Sequence, residues 1–168
     1  MSFDLNDQRH LEAAEGWLEL GLPLEAAAEL AKITTLHQGH PDVLELRWHI
    51  CAKEKQWPAC MEIAATITQL APDRVDGWIH RSFALHELHK TQEAFQQLFL
   101  VVDKFPSVWT IPYNLACYAA QLHRFDEAKK WLEQALALDK KTVQQAAQDD
   151  KDLQPLWNNL GGVMWERE

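Results

Sequence analysis

Histidines are the residues of this chain whose type and spacing best suit chemistry. His49, His80 and His86 lie on helical stretches, and imidazoles from adjacent helices can converge on a metal ion or act as a proton-sensitive switch. The segment HELH at 86–89 shares letters with a zinc-protease motif, but that motif spaces its histidines four apart around a glutamate base. Here they are three apart. The pattern therefore favours solvated surface histidines and predicts no metal and no cofactor.

The remaining reactive side chains do not form a recognisable catalytic set. Cys51, Cys60 and Cys117 are odd in number and lack a CxxC pair, which favours reduced thiols acting as small core residues. HQGH at 37–40 is more typical of a linker than of a ligand pair. No GxSxG, phosphate-binding loop or Cys-His motif occurs in the sequence. The sequence therefore predicts that the protein is not an enzyme.

Length and charge limit the partners and the compartment. The chain has 168 residues, a net charge of -9 and 47% apolar residues, which suits one domain with a proper core. An acidic chain is poorly suited to nucleic acid or to acidic lipid surfaces, because both attract clustered Lys and Arg. We find no basic leader followed by an apolar run and no window long enough to span a membrane. We therefore expect a cytoplasmic protein that binds neither nucleic acid nor membrane.

The helices that carry these residues follow an internal repeat. Apolar residues recur three and four apart almost throughout, which is typical of helices, and small residues recur every 34 positions without a gap. The small residues are Ala26, Cys60, Ala94 and Ala128, and four residues later come Leu30, Ala64, Leu98 and Leu132. Tight turns are predicted at 21–23, 55–57, 89–91 and 123–125. Trp48 occupies a position that should be small, and we expect Cys60 and Ala64 opposite it to compensate for its volume.

This pattern resembles the tetratricopeptide repeat (TPR) family, whose unit of 34 residues is two helices joined by a turn. The resemblance implies an all-α fold, a right-handed α-solenoid of antiparallel helix pairs, forming a single domain over residues 1–168. Its repeats would span about 7–40, 41–74, 75–108 and 109–142, followed by a C-terminal cap over 143–168. An open array needs such a cap, and we expect its covering face to contain Leu153, Leu156, Trp157, Leu160 and Val163.

The resemblance also implies a concave groove lined by the first helix of each repeat. The predicted peptide-groove residues are Glu15, Glu45, His49, Asp76, Ile79, His80, Phe83, His86, Tyr113, Asn114 and Cys117. Acidic groups concentrate in the first two repeats, and Ile79, Phe83 and Tyr113 form an apolar patch that is exposed unless something covers it. The Lys and Asn residues with which some relatives hold a chaperone's C-terminal carboxylate are missing, so we expect no function of that kind.

The prediction from sequence is a non-enzymatic module or scaffold that binds another protein or peptide, basic at one end and apolar in the middle. Two alternatives stay open: a bacterial secretion-type chaperone that holds an apolar export substrate, and an architectural subunit of an oligomer. A homo-oligomer is compatible with each of these functions. The sequence also leaves open that the acidic residues form a solvated face, and that the chain's own final helix covers the aromatic patch.

Overall fold

A computed structural model describes residues 3–166, and all regular structure in that range is helical. The α-helices are α1 (Leu5–Glu19), α2 (Pro23–Leu30), α3 (Pro41–Lys53), α4 (Trp57–Leu70), α5 (Val75–Glu87), α6 (Thr91–Phe99), α7 (Thr110–Gln121), α8 (Phe125–Leu138), α9 (Lys140–Gln148) and α10 (Gln154–Leu160). A 3₁₀ helix follows at Met164–Glu166. No helix in the described part of the chain is long and apolar enough to cross a membrane. The all-α prediction is confirmed.

Four tight turns repeat the same backbone geometry along the chain. Each contains one residue in the left-handed region, namely Gly21, Lys55, His89 and His123, with φ of 75°, 56°, 61° and 57°. The amide of this residue and the next amide donate to carbonyls three and five residues earlier, which closes the end of the preceding helix. Successive turn residues are 34 positions apart. The predicted turn positions are therefore confirmed by the backbone itself.

The chain forms two compact units, which meet in sequence between Ala84 and Leu85. In the first unit α1 packs on α2 and α3 packs on α4, as expected for helices joined by very short turns. One buried cluster includes Leu11, Ala26, Leu30 and Val43. The single-domain assignment and the four repeat boundaries stay predictions.

Trp48 forms the centre of a second buried cluster in this unit. Its neighbours are Cys60, Ala64 and Ala84, each 0% exposed, while Trp48 itself is 6% exposed. The small residues on α4 and α5 leave the volume that the indole fills. The predicted compensation of a large residue by small ones is confirmed.

The first unit also contains a close approach that the sequence did not reveal. A Cβ added to Gly77 on α5 would lie 2.8 Å from Ile67 Cγ2 and 3.1 Å from the backbone nitrogen of Thr68. Real Cβ atoms do not tolerate the shorter distance, so α5 packs this closely on α4 only because the residue is glycine.

The second unit is built around the pair α7 and α8. Ala116, Ala119, Ala128 and Ala135 are all 0% exposed, which allows these two helices to approach closely. Helix α10 packs on both of them, with Leu153 and Leu156 at 0% exposure and Trp157 at 6%. Leu160 and Val163 are half-buried. An acidic turn over residues 149–153 joins α9 to α10, and three of the five residues expected on the covering face are thus buried and two half-buried.

A buried carboxylate ties the start of α1 to the connection between α2 and α3. Asp7 is 0% exposed and accepts hydrogen bonds from the Thr34 amide at 2.9 Å, the Thr34 hydroxyl at 2.5 Å and His37 Nδ1 at 2.6 Å. Burial alone would raise its pKa, but the hydrogen bonds from Thr34 and His37 lower the pKa of Asp7 to about 2. His37 and His40 thus lie in a connecting segment, as predicted, and His40 accepts from the Asp42 amide at the start of α3.

Asp7→Asn is expected to destabilise the protein at pH 5 and to have progressively less effect as the pH falls towards 2. The folded pKa of about 2 lies below the ordinary value of 3.8. The stability contributed by the ionised carboxylate is therefore present above pH 4 and is lost as the pH falls through the folded pKa. Urea unfolding of both proteins between pH 5 and pH 2 measures the difference.

Asp103→Asn is the matched control, because Asp103 is exposed and its replacement should leave stability nearly unchanged at each pH. A gap between wild type and Asp7→Asn that stays constant down to pH 2 would contradict the assignment of this stability to the ionised Asp7 carboxylate.

Candidate functional site

Helices α1 and α3 of the first unit border an open cleft, here called the α1–α3 cleft. It has a volume of about 400 Å³ and continues into a neighbouring depression of about 330 Å³. Glu15, Leu46 and His49 line both parts. The other lining residues are Phe3, Gln8, Leu11, Asp42, Glu45 and Arg74 in the first part, and Leu18, Glu19 and Lys53 in the second. The cleft thus combines an apolar floor with charged walls.

Arg74 holds two of the cleft's carboxylates and the neighbouring carboxylate of Asp76 together. Its guanidinium donates to Asp42 and to Glu45, and lies 3.6 Å from Asp76. Burial opposes its charge, but the hydrogen bond to Asp42 and the charge of Glu45 raise the pKa of Arg74. The sequence predicted Glu45 and Asp76 as acidic residues of the groove. The structure shows instead that both are partly neutralised by an arginine that the sequence reading did not single out.

The cleft nevertheless retains an excess of negative charge. Glu15, Asp42 and Glu45 line its first part against a single guanidinium, which leaves two uncompensated charges. Burial raises the pKa of Glu45, and the neighbouring charge of Asp76 raises it further.

His49 and His80 lie together against this acidic group. Their ring centroids are 5.2 Å apart, and the His80 ring stacks on Trp48 at 3.8 Å with planes inclined by 13°. Burial lowers the pKa of His49, and it lowers the pKa of His80 to about 3. His80 is not the solvated surface histidine that the sequence predicted, because one face of its ring stacks on the Trp48 indole and its Nε2 atom is buried.

The apolar patch proposed from the sequence is only partly accessible. Ile79 and Phe83 are half-buried, and the Phe83 ring contacts the rings of Trp48 and Trp57 at 6.2 Å and 5.7 Å. Phe83 therefore supports the indole cluster of the first unit as well as presenting some surface.

Tyr113 and Cys117 of α7 are buried, in line with the alternative that the chain's own C-terminal part covers this end of the predicted patch. They are 6% and 4% exposed. The Tyr113 hydroxyl donates to Asp150 Oδ2 at 2.5 Å, and Cys117 Sγ lies 3.7 Å from the same oxygen. Burial raises the pKa of both groups well above their ordinary values. Neither is available to a partner, because the chain's own acidic turn at 149–153 covers them.

The same turn engages further along α7 and at the end of α5. Gln121 donates to the Asp152 carbonyl at 2.9 Å, and His86 Nε2 lies 3.2 Å from the Asp152 carboxylate while its Nδ1 contacts the Thr91 hydroxyl. His86 is therefore a positioned side chain and not a solvated one. Among the predicted groove residues of α7, Asn114 is half-buried and keeps some surface.

The structure places eight of the eleven predicted groove residues in three groups, while Ile79, Phe83 and Asn114 are half-buried outside them. Glu15, Glu45 and His49 line the α1–α3 cleft, and Asp76 and His80 stand beside them through Arg74 and His49. His86, Tyr113 and Cys117 are engaged by residues 150–152. Arg74 and Asp150 are the residues that the sequence reading missed. Two features of the sequence indicated them. Arg74 lies 32 positions after Asp42, nearly one repeat length, and Asp150 lies in the acidic segment 149–152.

Comparison with known proteins identifies the type of fold. No protein-family model matches the chain, and no curated protein matches it. Among solved structures it is similar to TTC0263, a thermophilic TPR protein of Thermus thermophilus, with a TM-score of 0.77, 18% identity, and coverage of 92% of this chain and 83% of that one. It is also similar to MamA (residues 41 to the end) from Desulfovibrio magneticus RS-1, with a TM-score of 0.71, 14% identity, and coverage of 95% and 96%.

A MamA RS-1 double mutant gives a TM-score of 0.72 at 15% identity over 99% of this chain and 97% of that one. These likenesses extend over nearly the whole chain, and the helices and turns agree with them. The fold is an all-α solenoid of the TPR type, as the 34-residue register predicted.

Proposed function

We propose that this protein is a non-enzymatic binding module that holds a basic, partly apolar segment of another protein in the α1–α3 cleft. The observation that carries the proposal is the composition of that cleft, with an excess of negative charge above an apolar floor. The TPR-type fold supports it, because helix-pair solenoids present extended surfaces suited to protein partners.

The charge of the cleft favours lysine or arginine in the partner. Glu15 and Glu19 are exposed at its border, and Asp42 and Glu45 have only one guanidinium between them. Opposite charges across an interface contribute mostly to the rate and specificity of association. We therefore expect binding to weaken as ionic strength rises.

The floor of the cleft supplies the apolar contact. Leu11 and Leu46 are 5% and 9% exposed, and Leu18 is half-buried. Side chains of this kind accept one or two apolar residues of a helix or an extended peptide. The expectation from sequence placed the apolar contact at Ile79, Phe83 and Tyr113. Because the turn at 149–153 covers Tyr113, we propose the leucines of the α1–α3 cleft instead.

A crosslinking experiment identifies the partner and locates its site. A photo-reactive amino acid replaces Leu18 in the cleft, and in the control it replaces Leu70, which is 57% exposed on α4. Segments that crosslink to the photo-reactive residue at position 18 but not to the one at position 70 are sequenced and synthesised. Their binding to the protein is then titrated by fluorescence anisotropy. The proposal expects them to carry Lys or Arg next to apolar residues.

Charge reversal then tests the recognition. Glu15→Lys is expected to weaken binding of the synthetic segment roughly tenfold, equivalent to about 1.4 kcal/mol. Glu62→Lys on α4, also exposed, should leave affinity unchanged. An acidic captured segment, or equal affinity of the two variants, would overturn the proposal.

The chaperone and the architectural-subunit alternatives predict other outcomes of the crosslinking experiment. A secretion-type chaperone would yield captured segments from one apolar export substrate that folds poorly without this protein. An architectural subunit would yield crosslinks to a second copy of this chain, and mass measurement in solution over a range of concentrations would show a stable oligomer.

A further inference from the structure

One side-chain cluster of the first unit has the composition of a transition-metal site. Glu45 and His49 are four residues apart on α3, so they lie on one face of the helix, and His80 comes from α5. One potential ligand atom from each of the three lies within 4.8 Å of the other two. We propose that Glu45, His49 and His80 bind a first-row transition-metal ion such as Zn²⁺, contrary to the expectation from sequence that the histidines serve no metal.

The donor set fits such an ion. Two imidazoles and one carboxylate are ligands that zinc and non-haem iron use when a further coordination position stays open. Metal–ligand bonds of about 2.0–2.2 Å require the three ligand atoms to lie well inside the 4.8 Å limit within which they are found here. Glu45 is half-buried and His49 partly exposed, so their side chains have room to make that adjustment.

A second observation concerns the hydrogen bonding of His80. Its Nε2 is buried and has no hydrogen-bond partner within the described residues, and a buried polar atom without a partner is costly. Stacking on Trp48 at 3.8 Å holds the ring in place. A metal ion bound at this nitrogen would supply the missing partner, and the ring needs little further ordering.

The electrostatic surroundings also favour a cation. Glu15, Asp42 and Glu45 line the cleft against the single guanidinium of Arg74, and Asp76 adds a further carboxylate beside that guanidinium. Arg74 competes with a metal for the Glu45 carboxylate, but it also contacts Asp42 and Asp76. It can therefore keep two carboxylate partners when Glu45 turns to the metal.

Calorimetric titration of the whole chain with Zn²⁺, and separately with Mg²⁺, tests the site. One Zn²⁺ per chain is expected, with no Mg²⁺ binding, because Mg²⁺ prefers oxygen ligands. His49→Gln and Glu45→Gln should each weaken Zn²⁺ binding at least about tenfold, the loss that even an outer-shell change commonly causes. His123→Gln is the matched control, since His123 is exposed in the turn before α8. This variant should bind Zn²⁺ with the affinity of the wild-type protein.

Co²⁺ provides a second measurement through tryptophan emission. Because the His80 ring stacks on Trp48, bound Co²⁺ should quench Trp48, and Trp48→Phe should remove that part of the quenching. Circular dichroism establishes whether each variant is folded. If His49→Gln or Glu45→Gln does not fold, the other of these two variants is used. Absence of Zn²⁺ binding by wild type, or equal binding by His49→Gln, Glu45→Gln and His123→Gln, would overturn the proposal. The titrations contain no peptide, so their result is independent of the proposed protein partner.

Discussion

Trp48→Ala is expected to lower the free energy of unfolding by about 3–5 kcal/mol, the range for removing a buried tryptophan. The indole is 6% exposed and is surrounded by Cys60, Ala64 and Ala84, which are all too small to fill the space it leaves. His80 would also lose the surface on which it stacks. Urea unfolding followed by circular dichroism measures the change, since tryptophan emission is itself altered by the substitution.

Leu36→Ala serves as the control, because Leu36 is 69% exposed and its truncation should change stability by less than about 0.5 kcal/mol. A second substitution tests the exchange of large for small residues directly. Ala64→Leu alone should destabilise by about 1–3 kcal/mol through overpacking, whereas in the Trp48→Ala protein it should stabilise. The same sign in both backgrounds would contradict the assignment of Ala64 to the space beside the indole.

Asp150→Ala is expected to lower the free energy of unfolding by about 1.5–3 kcal/mol, as for loss of a hydrogen bond to a charged group. The substitution leaves the Tyr113 hydroxyl and the Cys117 thiol buried without the oxygen that they share. It also removes the acceptor of the Asp152 amide, which shapes the turn. Thermal and urea unfolding report the loss.

Asp149→Ala is the neighbouring control, since Asp149 is exposed and should contribute little. Tyr113→Phe in the Asp150→Ala protein should recover part of the stability, because it removes the orphaned hydroxyl. If the two substitutions are additive, Tyr113 and Asp150 do not form a coupled pair, and the turn is held by other contacts.

The spacing of residues predicted the repeat because each unit meets the same packing demands. Ala26, Cys60, Ala94 and Ala128 are each 0% exposed, as expected where helices must approach closely. The turn residues follow the same period, although three of the four are not glycine. Local packing constraints of this kind determine which residue types are allowed, and they recur at a fixed distance along the chain.

The candidate site was less predictable, because its properties depend on residues that are distant in sequence. Tyr113 appears apolar and exposed until residues 150–152 are placed over it. Glu45 appears free until Arg74, 29 residues later, donates to it. Neither contact follows the 34-residue repeat, since each depends on the position of one side chain from another segment of the chain.

The sequence by itself determined the helical repeat, the turn positions, the covering final helix and the acidic net charge, since all of these follow from residue type and spacing. Only the tertiary structure decided which of the predicted groove residues are accessible and which are covered. It also brought Glu45, His49 and His80 together, because convergence of side chains from α3 and α5 is set by helix packing and leaves no trace in the order of residues.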